Sequence, residues 1–408
     1  MHIENLVKKT LGIKNHRIVD IDGSGDNLVV TLAAIKKRRL PCKECGHLSK
    51  QANRKKEREW LHVPLWGIPV FLRYQPHRVH CPVHGLRLEA IPWADGKQRM
   101  TKHLSLTMAI WAKTLAVEVV AGMFGVHWNT VYAAIKRTVQ FGLDHREMGS
   151  ILYIGIDEIS RRKGHRYLTN VYDLQEKILL WSGKDRKEET LREFFEAHGD
   201  KLRETVKGVC CDMWAPYIKV VQEYIPDAVL VFDRFHLMKH LLDSVDAVRK
   251  EEVRIQKNTD PDVVTGTKYV LLKNAENLTN RQKERLGYLV KLNARITRAY
   301  ILKEDFRQFF TYSSRYWAER FLDKWMWRAT HSRLRPIRKF AQLLKRHREG
   351  ILAWIGMPIS NGATEAMNNN AKAISHRARG FSTFETYACM LLHCMGGLKM
   401  PEYAHSFV

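Results

Sequence analysis

The stretch that decides the fold runs from residue 151 to residue 158 and reads ILYIGIDE, an apolar run that ends in two acids. Residues 206–212 (VKGVCCD) and 228–233 (AVLVFD) repeat this design, and residues 175–182 continue the pattern of strands. Short apolar runs that alternate with charged, helix-like stretches are typical of an α/β unit. We therefore expect three neighbouring strands that each end in an aspartate, namely Asp157, Asp212 and Asp233.

Acids at the ends of neighbouring strands are expected to converge on one edge of the sheet. Their mutual repulsion calls for a divalent cation, and Mg²⁺ prefers oxygen ligands of this kind. Two such ions, ~3.5–4 Å apart, can activate a water and stabilise the leaving oxygen in phosphodiester cleavage. Spacing alone leaves open which two of the three aspartates bind metal, because aspartates also cap helices and turns. Glu158 alternates to the opposite face of its strand from Asp157 and is disfavoured.

A further acidic ligand is expected from a helix laid across that edge. Residues 360–370 read SNGATEAMNNN, and Glu365 is the only carboxylate among them. A carboxylate beside amides and cations suits a metal next to a phosphate backbone, whereas the alternative is a solvated surface helix. Helical periodicity predicts a packed stripe of Met367, Ala371 and Ile374. A second face would hold Glu365, Asn369, Lys372 and His376.

Two pairs of metal-ligand residues lie in the first 95 residues. Cys42 and Cys45 form one pair, and Cys81 and His84 form the other, each with two residues between the ligands and a glycine after the second. That spacing lets one tight turn aim two side chains at one metal, so the pairs predict a structural zinc site of the Cys₃His type in a small β-rich finger. Three nearby histidines are alternative ligands: His47, His77 and His80.

Residues 115–139 read LAVEVVAGMFGVHWNTVYAAIKRTV and predict two helices joined by a turn at residues 124–126. This pattern matches a helix-turn-helix whose second helix enters the major groove of DNA, although an ordinary helical hairpin is the alternative. The apolar positions Val119, Val120 and Met123 suit the first helix, and Val131, Ile135 and Val139 would face inward in the second. The outward, DNA-facing positions would be His127, Asn129, Thr130, Ala133, Lys136 and Arg137.

The composition points to a polyanionic partner. The chain has 408 residues and a formal net charge of +25, from 68 Lys and Arg against 43 Asp and Glu. Such an excess favours nucleic acid as the partner over a merely basic protein. Seven cysteines, an odd number, argue against a disulfide framework and for a reducing compartment, so we expect a cytoplasmic protein. No apolar run approaches the length of a membrane-spanning helix, so we expect no membrane span.

Several longer strings carry a resemblance to a known family. They are residues 155–158 (GIDE) with 163–167 (KGHRY), 211–217 (CDMWAPY), 231–236 (VFDRFH), and 365–368 (EAMN) with 377–381 (RARGF). Together with the order of zinc pairs, helix-turn-helix and α/β unit, they resemble the DDE transposases of bacterial insertion sequences, in particular the ISL-three family. The match spans nearly the whole chain.

The resemblance implies an α/β fold with a ribonuclease-H-like catalytic domain that carries an all-helical insertion. The domains would be a zinc-binding domain (1–95), a helix-turn-helix domain (96–145), the catalytic domain (146–236 and 355–400) and the insertion (237–354). It further implies that Asp157, Asp212 and Glu365 are the catalytic triad and bind two Mg²⁺ or Mn²⁺ ions. Glu385 is the alternative third acid.

The implied activity is that of a transposase, which binds terminal inverted repeats, hydrolyses the element ends and joins the freed ends to target DNA. Because two ends must be joined, a homodimer or larger assembly on DNA is expected. The alternatives are a DNA-binding regulator with an inactive catalytic domain, and a nuclease of the same fold that cuts without joining. Candidates for supporting the metals or contacting DNA are Asp233, His236, Trp214, Lys372, His376, Arg377 and Arg379.

Overall fold

The computed structural model describes residues 15–162, 166–256, 266–292, 294–357, 359 and 361–402. These residues divide into two compact units. The first contains residues up to 147 together with those from 374 onward, and the second contains residues 148–373. Residues 355–400, expected as one segment of the catalytic domain, are thus divided between the units. No helix in the described part of the chain is long and apolar enough to cross a membrane.

The first unit begins with two four-stranded sheets, as the β-prone runs at residues 28–32 and 70–72 predict. One sheet has the order β1-β2-β6-β5 and the other the order β3-β4-β7-β8. Large side chains such as Trp60, Tyr74 and Trp93 are buried in the core that these sheets share. The strands are β1 (His16–Asp22), β2 (Leu28–Ala34), β3 (Leu40–Pro41), β4 (Leu48–Arg54), β5 (Arg58–Leu65), β6 (Ile68–Tyr74), β7 (His77–Cys81) and β8 (Gly85–Leu88).

Four helices complete the described part of this unit. They are α1 (Lys102–Ala112), α2 (Val117–Met123), α3 (Trp128–Asp144) and α14 (Phe384–Met395), the last two of which pack together. The predicted inward positions of α3, Val131, Ile135 and Val139, are all buried. The amphipathic period of α3 is therefore confirmed.

The first predicted helix is present as α2 and contains all three of its predicted apolar positions. Val120 is buried, whereas Val119 and Met123 are 51% and 52% exposed. Because α2 has only seven residues, its buried face is narrow, and Val117 and Ala121 complete it.

The second unit is built around a five-stranded sheet of order β11-β10-β9-β12-β13. Strands β9, β10 and β11 are antiparallel neighbours, whereas β12 pairs in parallel with both β9 and β13. Four of the five strands correspond to the predicted apolar runs. The elements are β9 (Tyr153–Arg162), β10 (Arg166–Asp173), β11 (Ile178–Lys184), α4 (Glu188–Thr205), β12 (Gly208–Cys211), α5 (Ala215–Tyr224) and β13 (Val229–Phe232).

The described residues between 237 and 354 form helices and connecting turns without a strand, as their helical sequence pattern predicts. Aromatic side chains such as Phe306, Trp325 and Phe340 extend the core of the sheet into this region. The helices are α6 (Arg234–Gln256), α7 (Lys268–Leu272), α8 (Asn280–Leu292), α9 (Ala294–Arg307), α10 (Arg315–Thr330), α11 (Arg335–Arg346) and α12 (Arg348–Ala353), with 3₁₀ turns at Ala275–Asn277 and Gln308–Thr311. Helix α13 (Asn361–Arg377) follows, and residue 374, where the two units divide, lies within it.

Candidate active site and metal centre

The three predicted aspartates lie level with one another at one edge of the five-stranded sheet. Asp157 is in β9, and Asp212 directly follows β12. Because Cys210 pairs with Gly155 in the parallel register, Asp212 is level with Asp157. Asp233 directly follows β13 and is level with Asp212 by the same argument. Asp157, Asp212 and Asp233, which are separated by 55 and 21 positions along the chain, are therefore neighbours at this edge, which we call the acid edge.

The acid edge carries an excess of negative charge. Burial raises the pKa of Asp157, and the nearby charges of Asp233 and Asp212 raise it further, against the opposing effects of the Glu158 backbone N–H and of His236. Such a set of oxygen donors fits a hard divalent cation, which would relieve the repulsion. Among the described residues, only the Cys/His group described below has three or more ligand atoms that all lie within 4.8 Å of one another. The carboxylates of the acid edge are therefore more widely spaced than the ligands of a closed metal site.

Helix α13 crosses the sheet at Gly155, two residues before Asp157. A Cβ atom at this glycine would lie only 2.7 Å from Oγ1 of Thr364, so the close approach of helix and strand requires glycine. One turn further along the helix, Nδ2 of Asn368 donates a hydrogen bond to Oδ2 of Asp157 (2.5 Å). The hydroxyl of Tyr172 donates in turn to Oδ1 of Asn368 (2.7 Å). Thus α13 fixes the carboxylate of Asp157 through a buried amide.

Sequence reasoning missed Asn368, although a signal for it was present. Met367, Ala371 and Ile374 are buried, as predicted. Asn368 is 5% exposed and lies beside this stripe. Its position directly after Met367, next to the predicted packed face, was the sequence signal for a buried amide.

Glu365 lies on the solvent side of the same helix. It shares an exposed face with Asn369, Lys372 and His376, as predicted. Among the described residues its carboxylate has no hydrogen-bond or ion-pair partner, and Glu365 precedes Asn368 by three positions, so the two are neighbours around the helix. Glu385, the alternative acid, lies in the first turn of α14 and belongs to the other compact unit.

Asp233 and His236 form a pair at the start of α6. Asp233 is 4% exposed and accepts hydrogen bonds from the backbone N–H groups of Phe235 (2.9 Å) and His236 (3.1 Å), so it caps the helix. Nδ1 of His236 lies 3.0 Å from Oδ2 of Asp233. This hydrogen bond, together with the charges of Asp212, Asp233 and Asp157, raises the pKa of His236 above its usual value. The pair therefore combines a capping role with a position beside the other two acids.

Arg186 is a second residue of the acid edge that sequence reasoning missed. Its Nη2 lies 3.1 Å from Oδ2 of Asp212, and its Nε lies 3.0 Å from Oε1 of Glu158. The guanidinium also lies over the ring of Trp214, 4.7 Å from the ring centroid. In this structure Trp214 thus supports an arginine that neutralises part of the acid edge, and its other close aromatic neighbour is Tyr217 at 4.6 Å.

The remaining candidates near the end of α13 have different surroundings. Lys372 and His376 are exposed. Arg377 donates hydrogen bonds to the backbone oxygens of Lys113 (2.9 Å) and Ala112 (3.5 Å), where it caps the end of α1. Arg379 is exposed, with a positive φ of 53°. Arg377 is therefore engaged within the first unit, whereas the other three are accessible.

The predicted Cys₃His set comes together in the first unit, and we call it the Cys/His centre. Ligand atoms of Cys42, Cys45, Cys81 and His84 all lie within 4.8 Å of one another. Sγ of Cys45 is 3.5 Å from Sγ of Cys81, which in turn is 3.8 Å from Nδ1 of His84. A tetrahedral zinc with Zn–S bonds of ~2.3 Å needs sulfur atoms about 3.8 Å apart, so the geometry fits one metal ion.

Local turns produce the Cys/His centre. The backbone N–H of Gly46 donates to the oxygen of Cys42 (2.8 Å), and Gly46 has a φ of 69°. Cys81 pairs with Gly85 across the β7–β8 hairpin, and Gly85 has a φ of 68°. Both glycines adopt the left-handed conformation that lets the chain fold under a metal. The alternative ligands His47, His77 and His80 are not members of the group.

The predicted DNA-facing residues occupy the start and one side of α3. Asn129, Ala133 and Lys136 are exposed, and Thr130 is half-buried. Nδ1 of His127 accepts a hydrogen bond from the backbone N–H of Asn129 (3.2 Å), so His127 caps the helix. Arg137 is exposed but donates to Oγ of Ser105 in α1 (2.8 Å).

Comparisons with known proteins agree with this architecture. The family model DDE_Tnp_ISL3, described as Transposase, matches residues 154–391, more than half of the chain. The transposase for insertion sequence element IS1001 of Bordetella parapertussis is 29% identical over 350 residues, which cover 85% of this chain and 86% of that protein. The transposase for insertion sequence element IS1557 of Mycobacterium tuberculosis is 28% identical over 426 aligned positions, 96% of this chain and 95% of that protein. The chain therefore belongs to the ISL3 family of insertion-sequence DDE transposases.

Proposed function

We propose that this transposase binds the terminal inverted repeats of an insertion sequence, cleaves the DNA strands at the element ends and transfers them to target DNA. The observation that carries the proposal is the acid edge, where Asp157 and Asp212 are level on adjacent parallel strands and Asn368 of α13, the helix that also carries Glu365, bonds Asp157. Three antiparallel strands followed by two parallel ones support the expected ribonuclease-H-like topology. Family membership supports DNA as the substrate.

The residues of the acid edge fit a divalent metal, which the family implies. Asp157, Asp212 and Glu365 would hold it, with Mg²⁺ or Mn²⁺ as the ion. When bound, two such ions lower the pKa of a water and offset charge on the leaving oxygen. Glu365 is suited to be the third metal ligand because its exposed carboxylate has no competing partner among the described residues.

The neighbouring side chains prepare the carboxylates for this role. Asn368 restrains the rotation of the Asp157 carboxylate, and Arg186 restrains that of Asp212. His236 lies beside the acids, with its Nδ1 3.0 Å from Oδ2 of Asp233. In our proposal water and a DNA 3′ hydroxyl are the two nucleophiles, so no serine or tyrosine of the chain is needed to form a covalent link to DNA.

The first unit would recognise the element ends. The Cys/His centre would hold a structural zinc, and the exposed residues of α3, Asn129 and Lys136 above all, would contact DNA. Thr130, His127 and Arg137 would support that contact from the start and side of the helix. Because two ends are joined in one reaction, we expect at least a dimer on DNA. Such an enzyme would cleave and join DNA at the bacterial nucleoid, in the cytoplasm.

The decisive experiment replaces Asp212 by Asn. We expect excision to fall by at least about 100-fold, since losing a metal-holding carboxylate should cost at least as much as the ~10–100-fold loss typical of a residue that only supports one. Binding to DNA with the inverted repeats should be unchanged, because the first unit is intact. Asp227→Asn, an exposed aspartate between α5 and β13, is the matched control and should retain activity. Excision at the original rate in Asp212→Asn would overturn the proposal.

Two further measurements separate the alternatives. A strand-transfer assay with pre-cleaved ends distinguishes a transposase from a nuclease, because a nuclease would cut but not join. A regulator with an inactive catalytic domain would bind the repeats and show no divalent-ion-dependent cleavage at any concentration of Mg²⁺ or Mn²⁺.

A further inference from the structure

Helix α11 has an exposed face that is entirely free of acids. Its sequence, RPIRKFAQLLKR, contains no Asp or Glu. Ile337, Phe340, Ala341 and Leu344 are buried against the rest of the unit. The exposed residues, which we call the α11 face, are Arg335, Arg338, Lys339, Gln342, Lys345 and Arg346.

The positive charges of the α11 face are not balanced by acids. Several other cations of the insertion do have acidic partners: Arg328 pairs with Asp305, and Arg348 pairs with Glu319 and Asp323. Among the described residues, none of the five cations on the α11 face forms an ion pair or a side-chain hydrogen bond. Five unbalanced positive charges on one face of a helix attract a polyanion.

The α11 face also leads to the acid edge. His347 directly follows α11, and its ring centroid lies 5.2 Å from that of Phe232, the last residue of β13. Burial and the charge of Arg346 lower the pKa of His347, whereas the charge of Asp212 acts in the opposite direction. Because Phe232 pairs with Cys211, the residue before Asp212, the end of α11 lies beside the acid edge.

We propose that the α11 face binds the phosphate backbone of duplex DNA without reading its sequence, and that it leads the duplex to the acid edge. Twelve residues of α-helix extend about 18 Å, which corresponds to about five successive phosphates of one strand at ~3.4 Å each. Arg and Lys bind phosphate oxygens, and Gln342 is the only uncharged polar side chain on the face that is suited to reading a base edge. This surface serves DNA whose sequence varies, as target DNA does.

This inference rests on the proposed function only for the identity of the polyanion as DNA. Its test is the salt dependence of binding to a duplex that lacks the inverted repeats, with the full-length protein. The test variant is Arg338→Gln/Lys339→Gln/Lys345→Gln. The matched control, Lys201→Gln/Arg203→Gln/Lys207→Gln, removes three exposed cations from the same compact unit, in and beside α4, a helix that carries several glutamates.

Each phosphate contact contributes about −0.9 to the slope of log K against log salt concentration. We expect the slope of the test variant to be less steep than wild type by about 2–3, and that of the control by less than about 1. Equal slopes for the two variants would overturn the proposal. So would an unchanged slope accompanied by loss of self-association in light scattering, because the face would then be a protein interface.

Gln has a helix propensity close to those of Arg and Lys, so α11 should persist in the variant. If thermal unfolding nonetheless shows a lower Tm, Arg338→Gln alone decides the question, with an expected change in slope of about 1. No step of this test requires cleavage. Failure of wild-type protein to cut DNA would therefore count against the proposed function and leave the result for the α11 face intact.

Discussion

The Cys/His centre and the acid edge are both groups of metal-binding residue types, but they are assembled in different ways. The ligands of the Cys/His centre come in two local pairs, so two tight turns and one small sheet bring them together. The acid edge takes residues from β9, β12 and β13 and an amide from α13, more than 200 positions after Asp157. The comparison teaches that local spacing can specify a closed site, whereas an open one depends on the topology of a whole domain.

The two regions also differ in how they tolerate the absence of a metal. At the acid edge, Arg186 supplies positive charge, His236 lies 3.0 Å from Asp233, and Asn368 donates a hydrogen bond to Asp157. The thiols of the Cys/His centre have mainly one another and His84 as side-chain neighbours. We therefore expect the Cys/His centre to depend on its metal for folding, and the acid edge to depend on its metal for chemistry alone.

The largest expected effect comes from Cys81→Ser. Structural zinc contributes an apparent ~10–16 kcal/mol to the folding of small zinc domains, far more than the two sheets of the first unit can replace. We expect loss of the bound metal, of cooperative unfolding of this unit and of binding to the inverted repeats. Metal analysis and thermal denaturation measure these outcomes.

The control for this prediction is Cys389→Ser, which changes a half-buried cysteine in α14 of the same unit. It should keep one equivalent of metal. If Cys81→Ser retained the metal as well, the contrast between the two regions would be wrong.

Asn368→Leu tests the acid edge with a side chain of similar size. The variant loses the hydrogen bond to Asp157 and leaves the hydroxyl of Tyr172 without its acceptor. Because groups that orient metal ligands typically contribute 10–100-fold, we expect excision to fall by about that factor, with little change in metal content at the Cys/His centre. Asn369→Leu, on the exposed side of the helix, is the control. Equal activities of the two variants would show that the amide does not position Asp157.

A pH dependence of stability distinguishes the first unit from the second. His393 is 4% exposed, its Nε2–H donates to the oxygen of Ala109 (2.7 Å), and burial lowers its pKa to about 4. Below the unfolded pKa of ~6.5 the unfolded chain binds a proton that the folded chain does not, so stability is lost as pH falls from about 6.5 towards 4, at about 1.4 kcal/mol per pH unit.

The measurement is urea unfolding of wild type and His393→Gln between pH 7 and pH 5. Wild type should lose about 2 kcal/mol more than the variant over this range, because the variant has no such proton to take up. His376→Gln, which changes an exposed histidine, should keep the wild-type slope. Parallel pH profiles for wild type and His393→Gln would refute the assignment.

Arg186→Gln should give the smallest effect. The guanidinium is one-third exposed, so solvent screens its ion pairs with Asp212 and Glu158, and we expect a loss of less than about 1 kcal/mol in the metal-free protein. Added Mn²⁺ should stabilise this variant more than wild type, because the ion replaces the missing positive charge. Arg186→Lys should resemble wild type. A variant as stable as wild type without metal would mean that Arg186 does not offset the acids.

The sequence by itself determined the features whose signals are local. Ligand pairs two residues apart, an apolar period of 3.6 in α3, and apolar runs ending in acids each reflect contacts within one or two elements, so residue types and spacing were sufficient. In α2 the local signal predicted the helix but not its buried face, because a seven-residue helix offers too few turns for its period to identify that face.

Only the tertiary structure decided which side chains meet at the acid edge. The contacts of Asn368 with Asp157 and of Arg186 with Asp212 join residues 211 and 26 positions apart, and they depend on the order of the strands and on the close approach of α13 to Gly155. Sequence patterns report which face of an element is buried. They do not report which element covers that face, because this depends on how all the elements pack at once.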